Sequence, residues 1–254
     1  MEKENFTPKE ILEITLNNGE NKTKLKTRTQ FFLGLLAGIF ISIGAASSTI
    51  VNSLGKGFNP QITKVLVGLT FTIGIVAVVV GGAELFTGNI LMLGATLDKR
   101  TKLSKLLYNW LKIFIYNFIG SIIFVIIVYY SNILSDGTKE LFVNIFNAKT
   151  SQGFLELFFK GIGCNVLVCL SVWLATASKE ITAKVFASAF PVAIFVICGF
   201  EHCVANMFYL PIAMMISGNY DFLALFHNLL PVTLGNIAGG ALLITMYYYA
   251  YKEK

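Results

Sequence analysis

The sequence predicts an all-α membrane protein with six transmembrane helices, and three observations carry that expectation. Hydrophobic residues make up 55% of the chain and charged residues only 13%, with a mean hydropathy of +0.70, outside the range of ordinary soluble domains. Six apolar runs, at 29–52, 62–95, 104–130, 154–178, 184–217 and 227–251, are each long enough for a bilayer that about 20 helical residues can span. Two of them carry a glutamate followed five residues later by an asparagine, Glu84 with Asn89 and Glu201 with Asn206. An intramembrane charge costs roughly 2.5–3.5 kcal/mol even on the lenient insertion scale, so it marks function by default. The same device at two matching places points to a duplicated unit with a polar site between its halves, the plan of a transport protein.

Residues 1–28 read as a tail with a short amphipathic helix. Thr7 can cap it, Pro8 suits its first position, and Glu10 can close a capping box. Ile11, Leu12 and Leu16 supply an apolar side, and Asn17-Asn18-Gly19 is expected to end the helix. Such a helix lies on the membrane interface or forms a flap over a pore mouth. Residues 29–251 read as a single membrane domain with only short polar connections.

Within that domain the chain repeats. Phe31-Phe32-Leu33-Gly34 opens span one and Phe158-Phe159-Lys160-Gly161 opens span four. Asn109, Leu111, Asn117, Gly120, Tyr129 and Tyr130 of span three recur 119 residues later as Asn228, Leu230, Asn236, Gly239, Tyr248 and Tyr249 of span six, and the glutamate motifs recur at 117. Each unit has three spans, an odd number, so the second unit enters from the opposite side: an inverted 3+3 repeat. Spans two and five, at about 34 residues, would measure about 50 Å as continuous helices against a hydrocarbon core of roughly 30 Å. Both are expected to be broken. Gly81, Gly82 and Gly88 offer break points in the first, and Gly199, Pro191 and Pro211 in the second.

The formal charge of +6 has a sidedness. Lys3, Lys9, Lys22, Lys24, Lys26, Arg28, Lys99, Arg100, Lys102, Lys105, Lys179, Lys184, Lys252 and Lys254 fall on one side of a six-span chain, and only Lys56, Lys64, Lys139, Lys149 and Lys160 on the other. The positive-inside rule then makes both termini cytoplasmic in a multi-pass protein of the cell membrane. Nucleic acid is not a partner the sequence supports, because no basic patch has a soluble fold to sit on. The cysteines Cys164/Cys169 and Cys198/Cys203 are spaced five apart in apolar spans, which points each pair's thiols apart on a helix; small buried packing residues are expected, with neither metal site nor disulfide.

The chemistry concentrates in the repeated motifs. His202 beside Glu201 can meet an anion, donate a hydrogen bond or pass a proton. Thr87 offers it a hydroxyl partner. Glu84 and Glu201 could line the path, where negative walls would repel an anion and suit a cation; the favoured expectation is that they accept hydrogen bonds from backbone amides freed at the breaks. Asn89, Asn165, Asn206 and Asn236 would bridge loose backbone between helices. Gly34/Gly38 and Gly235/Gly239/Gly240 suit close helix packing.

At Ala-Glu-Leu-Phe-Thr-Gly-Asn (83–89), Cys-Asn-Val-Leu-Val-Cys-Leu-Ser-Val-Trp (164–173), Gly-Phe-Glu-His-Cys-Val-Ala-Asn-Met-Phe (199–208) and Leu-Pro-Val-Thr-Leu-Gly-Asn-Ile-Ala-Gly-Gly (230–240) the chain resembles the formate/nitrite transporter family, from span one to span six. The resemblance implies a homopentamer of aquaporin-like protomers, each with its own pore for a small monovalent anion such as formate, nitrite or hydrosulfide. It implies an omega-shaped loop at Gly81–Asn89, a central histidine at His202 with the loop threonine Thr87, and pore asparagines Asn165 and Asn236. Apolar slits fall on Phe195 with Ile75 and on Leu85 with Val168, and Lys149 is the residue that draws anions into the outer mouth. On this reading permeation is proton-linked, and loss of His202 changes its pH dependence more than the folding. No cofactor is implied. An aquaporin-like channel for small neutral solutes is the alternative, although neither break carries Asn-Pro-Ala. An intramembrane enzyme is disfavoured, because Glu201, His202 and Cys203 are expected as adjacent residues on one helix, which form no shared site.

Overall fold

The computed structural model describes residues 5–252. Lys3 and Lys254, assigned above to the basic side, lie outside the described residues. Helix α1 (Pro8–Lys24) precedes α2 (Thr27–Leu54), α3 (Pro60–Phe71) and α4 (Ile73–Gly81). A 3-10 turn (Gly88–Met92) leads into α5 (Leu93–Leu97), then α6 (Leu103–Tyr130), α7 (Asp136–Thr150) and α8 (Phe154–Thr176). Helices α9 (Ile181–Cys198), α10 (Cys203–Ser217) and α11 (Phe222–Tyr251) complete the described chain. Six helical stretches are long and apolar enough to cross a membrane: Thr27–Leu54, Pro60–Gly81, Leu103–Tyr130, Phe154–Thr176, Ile181–Cys198 and Phe222–Tyr251. The runs 62–95 and 184–217 each divide into one such stretch and a shorter apolar helix, Gly88–Leu97 or Cys203–Ser217.

Glycine ends both divided helices. Gly82 (φ +79°) and Gly199 (φ +74°) take the left-handed conformation that terminates a helix without strain from a Cβ. Pro191 and Pro211 do not serve as break points; both lie inside continuous helices, where each removes a single backbone donor. The stretch 60–81 has a further joint at Thr72, whose hydroxyl donates to the Leu69 carbonyl at 2.6 Å.

Two other expectations are revised. The capping box of Thr7 and Glu10 is formed, but α1 continues through Asn17-Asn18-Gly19 to Lys24. Gly19 stays helical because it is a packing position: a Cβ there would lie 3.0 Å from Ala95 Cβ and 3.1 Å from Met92 Cα. The connection between spans three and four, expected to be short and polar, holds the 15-residue helix α7 with Ser135 as its N-cap.

The packing is paired. Helix α6 crosses α2 so closely that a Cβ on Gly120 would overlap the Leu35 carbonyl, and α11 crosses α8 with Gly239 set the same way on the Ile162 carbonyl. Gly38 and Gly235 abut the carbonyls of Asn117 and Phe158 in the same two crossings. At one end of the molecule α1, the turn after α5 and the end of α11 are clasped together. Arg100 binds Glu13 (2.8 Å), Asn17 (2.8 Å) and Asp98 (2.6 Å), while Lys252 pairs with Asp98 at 2.9 Å. The α2–α3 loop and α7 lie at the other end.

Candidate functional site

The non-helical segments after Gly82 and Gly199 meet in the interior, and buried side chains satisfy the backbone they free. Asn117 of α6 accepts from the Phe86 amide (2.8 Å) and donates to the carbonyls of Gly34 (2.8 Å) and Glu84 (2.9 Å). Asn236 of α11 makes the corresponding three bonds, to the Cys203 amide (2.9 Å) and the carbonyls of Gly161 (2.8 Å) and Glu201 (2.9 Å). A primary amide both donates and accepts, so one side chain can serve an N–H and two C=O groups. An ionised carboxylate only accepts.

The glutamates therefore take side-chain donors, in place of the backbone amides expected for them. Glu84 accepts from Asn89 Nδ2 (2.8 Å) and pairs with Lys22 Nζ (2.9 Å). Glu201 accepts from Asn206 Nδ2 (2.7 Å) and from Lys149 Nζ, at 2.8 Å to each oxygen. Asn89 and Asn206 also donate to Asn109 (3.1 Å) and Asn228 (2.7 Å). Each buried carboxylate thus faces one ammonium and one asparagine relay, so burial strands no uncompensated charge. Asn89 and Asn206 bond side chains, whereas Asn165 does bridge backbone, donating to the carbonyls of Thr87 (3.2 Å) and Asn236 (2.6 Å).

His202 is the N-cap of α10. Its Nδ1 accepts from the Ala205 amide at 3.1 Å, and its Nε2 lies 2.9 Å from Thr87 Oγ1. Because Nδ1 accepts, a neutral ring carries its proton on Nε2 and donates it to Thr87. The Thr87 hydroxyl then keeps its own hydrogen for another acceptor. Apolar groups surround the pair. Phe195 stacks on the His202 ring at 5.9 Å and meets Phe71 edge-on at 5.5 Å. Ile75, Leu85 and Val168 are buried as well, and Leu85 forms part of the wall of a cavity of about 550 Å³ bounded by α1 and lined also by Lys22, Glu84 and Asn89.

Lys149 sits in the last turn of α7, locked to Glu201. Lys22, in the last turn of α1, is its counterpart and was read from sequence only as part of a basic tail. A signal existed: Leu12, Thr15, Gly19 and Lys22 fall on one helical stripe whose first three members are buried. Phe71, Asn109 and Asn228 also belong to the layer and were not singled out as site residues. Among the cysteines, all free, Cys198 is exposed and so departs from the buried packing expected, while Cys164, Cys169 and Cys203 are buried.

A family model described as "Formate/nitrite transporter" matches residues 9–250. The chain is 31% identical over 264 residues to the formate channel FocA of Haemophilus influenzae, covering 95% of this chain and 93% of that protein. It is 34% identical to a probable formate transporter of Methanothermobacter thermautotrophicus, covering 92% and 93%. Two solved structures are similar: a pentameric formate channel with formate bound (34% identity, TM-score 0.77, 88% of this chain and 96% of that one) and an FNT family ion channel (27%, 0.84, 95% and 98%). These relatives are channels and transporters, not enzymes. The chain is a multi-pass membrane protein and belongs to the formate/nitrite transporter family.

Proposed function

We propose that this chain is one subunit of a homopentamer in which every protomer carries its own pore for the anion of a small weak acid, formate first, with nitrite and hydrosulfide in the same class. The observation that carries the reading is the buried 2.9 Å contact between Thr87 Oγ1 and His202 Nε2, a paired donor set between apolar walls. Relatives named as formate channels, one of them pentameric with formate bound, support the substrate class and the assembly. Residues 29–251 form the single membrane domain as an aquaporin-like inverted repeat, with spans two and five broken at mid-membrane. The described part of the 1–28 tail, from Asn5, lies against its cytoplasmic face, the side to which the distribution of basic residues assigns both termini.

An anion stripped of water is held off by the slits at Phe195 with Ile75 and at Leu85 with Val168. At the centre the Thr87 hydroxyl and the His202 Nε2–H replace part of its hydration. Neutralising the anion removes most of the remaining barrier, and this is where proton linkage enters. His202 gains a second proton only by giving up the Ala205 amide at Nδ1, so its charge state is tied to the cap of α10. Asn165 and Asn236 hold Thr87 and the second loop in register. Lys149, its ammonium bound to Glu201, acts as the positive end of a fixed dipole that favours anions at the outer mouth.

The test is solute flux through the purified chain in lipid vesicles. Formate, nitrite and hydrosulfide should pass and glycerol should not. Free passage of glycerol without anion flux would support the neutral-solute channel instead.

A further inference from the structure

Five lysines lie at the α2–α3 and α7 end of the molecule, and three of them have carboxylate partners. Lys139 pairs with Asp136 (3.4 Å), Lys149 with Glu201 (2.8 Å) and Lys160 with Glu156 (2.6 Å). Lys56 and Lys64 form no ion pair among the described residues. They line one cavity of about 420 Å³ together with Asn52, Phe58, Pro60 and Thr63, and no acid contributes to its wall. Asp136 is near Lys56 in the fold, at the start of α7, but it is fully exposed and turned to Lys139.

Beside this cavity α3 and the first residue of α4 carry an exposed apolar stripe that continues past the joint at Thr72. Ile62, Leu66, Leu69 and Ile73 recur at four, three and four residues and so share one helical face, and Phe58 at the cavity is exposed as well. The stripe spans about 16 Å along the helix, close to the depth of one leaflet of a hydrocarbon core of roughly 30 Å. Unpartnered positive charge at the polar end of a leaflet-deep apolar track fits an amphiphile with an anionic head.

We propose that Lys56 and Lys64 bind the phosphate headgroup of one anionic phospholipid, whose acyl chain lies along Ile62, Leu66, Leu69 and Ile73. The site is separate from the Thr87–His202 pair and does not depend on the solute that passes there.

Native mass spectrometry of the intact assembly, titrated with phosphatidylglycerol or phosphatidylcholine of equal chain length, tests it. Phosphatidylglycerol should bind about 30-fold more tightly than phosphatidylcholine, from two lysines near a membrane surface. The Lys56→Gln/Lys64→Gln variant should lose that preference, the Lys139→Gln variant should keep it, and millimolar inorganic phosphate should not displace the lipid. Equal binding of the two lipids by the unaltered protein overturns the proposal, as does an undiminished preference in the double variant or displacement by free phosphate. Should the double variant not fold, Lys64→Gln, at an exposed position, gives the same readout with a smaller loss.

Discussion

The two non-helical segments around Gly82–Thr87 and Gly199–His202 share a scaffold and differ in chemistry. Each has a left-handed glycine, a buried glutamate, an asparagine five residues on, an asparagine from a crossing helix that bonds three backbone groups, and a lysine from the last turn of a helix outside the six spans. At the 117-residue offset of the glutamates, however, His202 corresponds to Leu85, and Thr87 to Val204. One segment supplies an apolar wall and a hydroxyl, the other the imidazole. The parts that satisfy buried backbone and charge are the same in both segments, because their loss is costly wherever such groups are buried. The side chains that meet between the segments carry no such constraint; they differ, and Thr87 and His202 are complementary partners.

Substitutions that strike the shared scaffold should have the largest and most symmetrical effects. Asn117→Ala and Asn236→Ala each remove the partner of one amide and two carbonyls, at about 1–3 kcal/mol for every buried group left unpaired. Both should abolish recovery of folded protein, measured as the yield of the assembled form by size-exclusion chromatography. A variant of only one of the two that folds normally would break the equivalence of the segments.

The lysines should be unequal. Lys149 is 16% exposed against 30% for Lys22, while the paired glutamates are both 6% exposed. Lys149→Met should cost about 3–5 kcal/mol by stranding Glu201, and Lys22→Met less, because Glu84 lines the cavity beside α1, where water can take the place of the ammonium. Thermal unfolding in detergent would rank them, and Glu201→Gln added to Lys149→Met should restore most of the loss.

The diverged positions should affect transport more than stability. Thr87→Val removes one hydrogen bond, about 1 kcal/mol, and should lower formate flux in vesicles about fivefold while the assembly persists.

The smallest effect is expected at the clasp that holds α1, the helix that brings Lys22 to the first segment. The Arg100 hydrogen bond lowers the Glu13 carboxyl below its usual 4.5. Burial would raise Asp98, but hydrogen bonds from Lys252 and Arg100 outweigh it and hold the group below 3.8. Carboxyls lowered in the folded state contribute stability that is present above their unfolded values and lost as pH falls through their folded ones. Protection of α1 from amide hydrogen exchange should therefore weaken as pH falls below about 4.5, ahead of the spans. In Arg100→Ala the same loosening should already be present at neutral pH, worth about 0.5–1 kcal/mol for the half-exposed pair with Glu13.

Much of this was legible in the sequence because membrane helices are read by length and hydropathy, and because the repeat exposed Glu84, Asn89, Glu201 and Asn206 by their offset. The partners of those residues were not legible. Lys22 and Lys149 lie about 60 and 50 residues from the glutamates they neutralise, and only the tertiary fold joins them. Pro191 and Pro211 misled because a proline inside an apolar helix costs one donor, whereas a left-handed glycine stops the helix outright. Asn17-Asn18-Gly19 misled for the opposite reason, since packing against Met92 and Ala95 overrides a weak local preference for ending the helix.

The central claim is that the imidazole of His202, set against Thr87, governs permeation. Formate flux in vesicles at about pH 5.5 and about pH 7.5, for the unaltered chain and for His202→Asn, tests it most directly. The account predicts a folded variant, since asparagine can still cap α10, whose flux has lost the pH response of the unaltered chain. The same pH response in both proteins would contradict it.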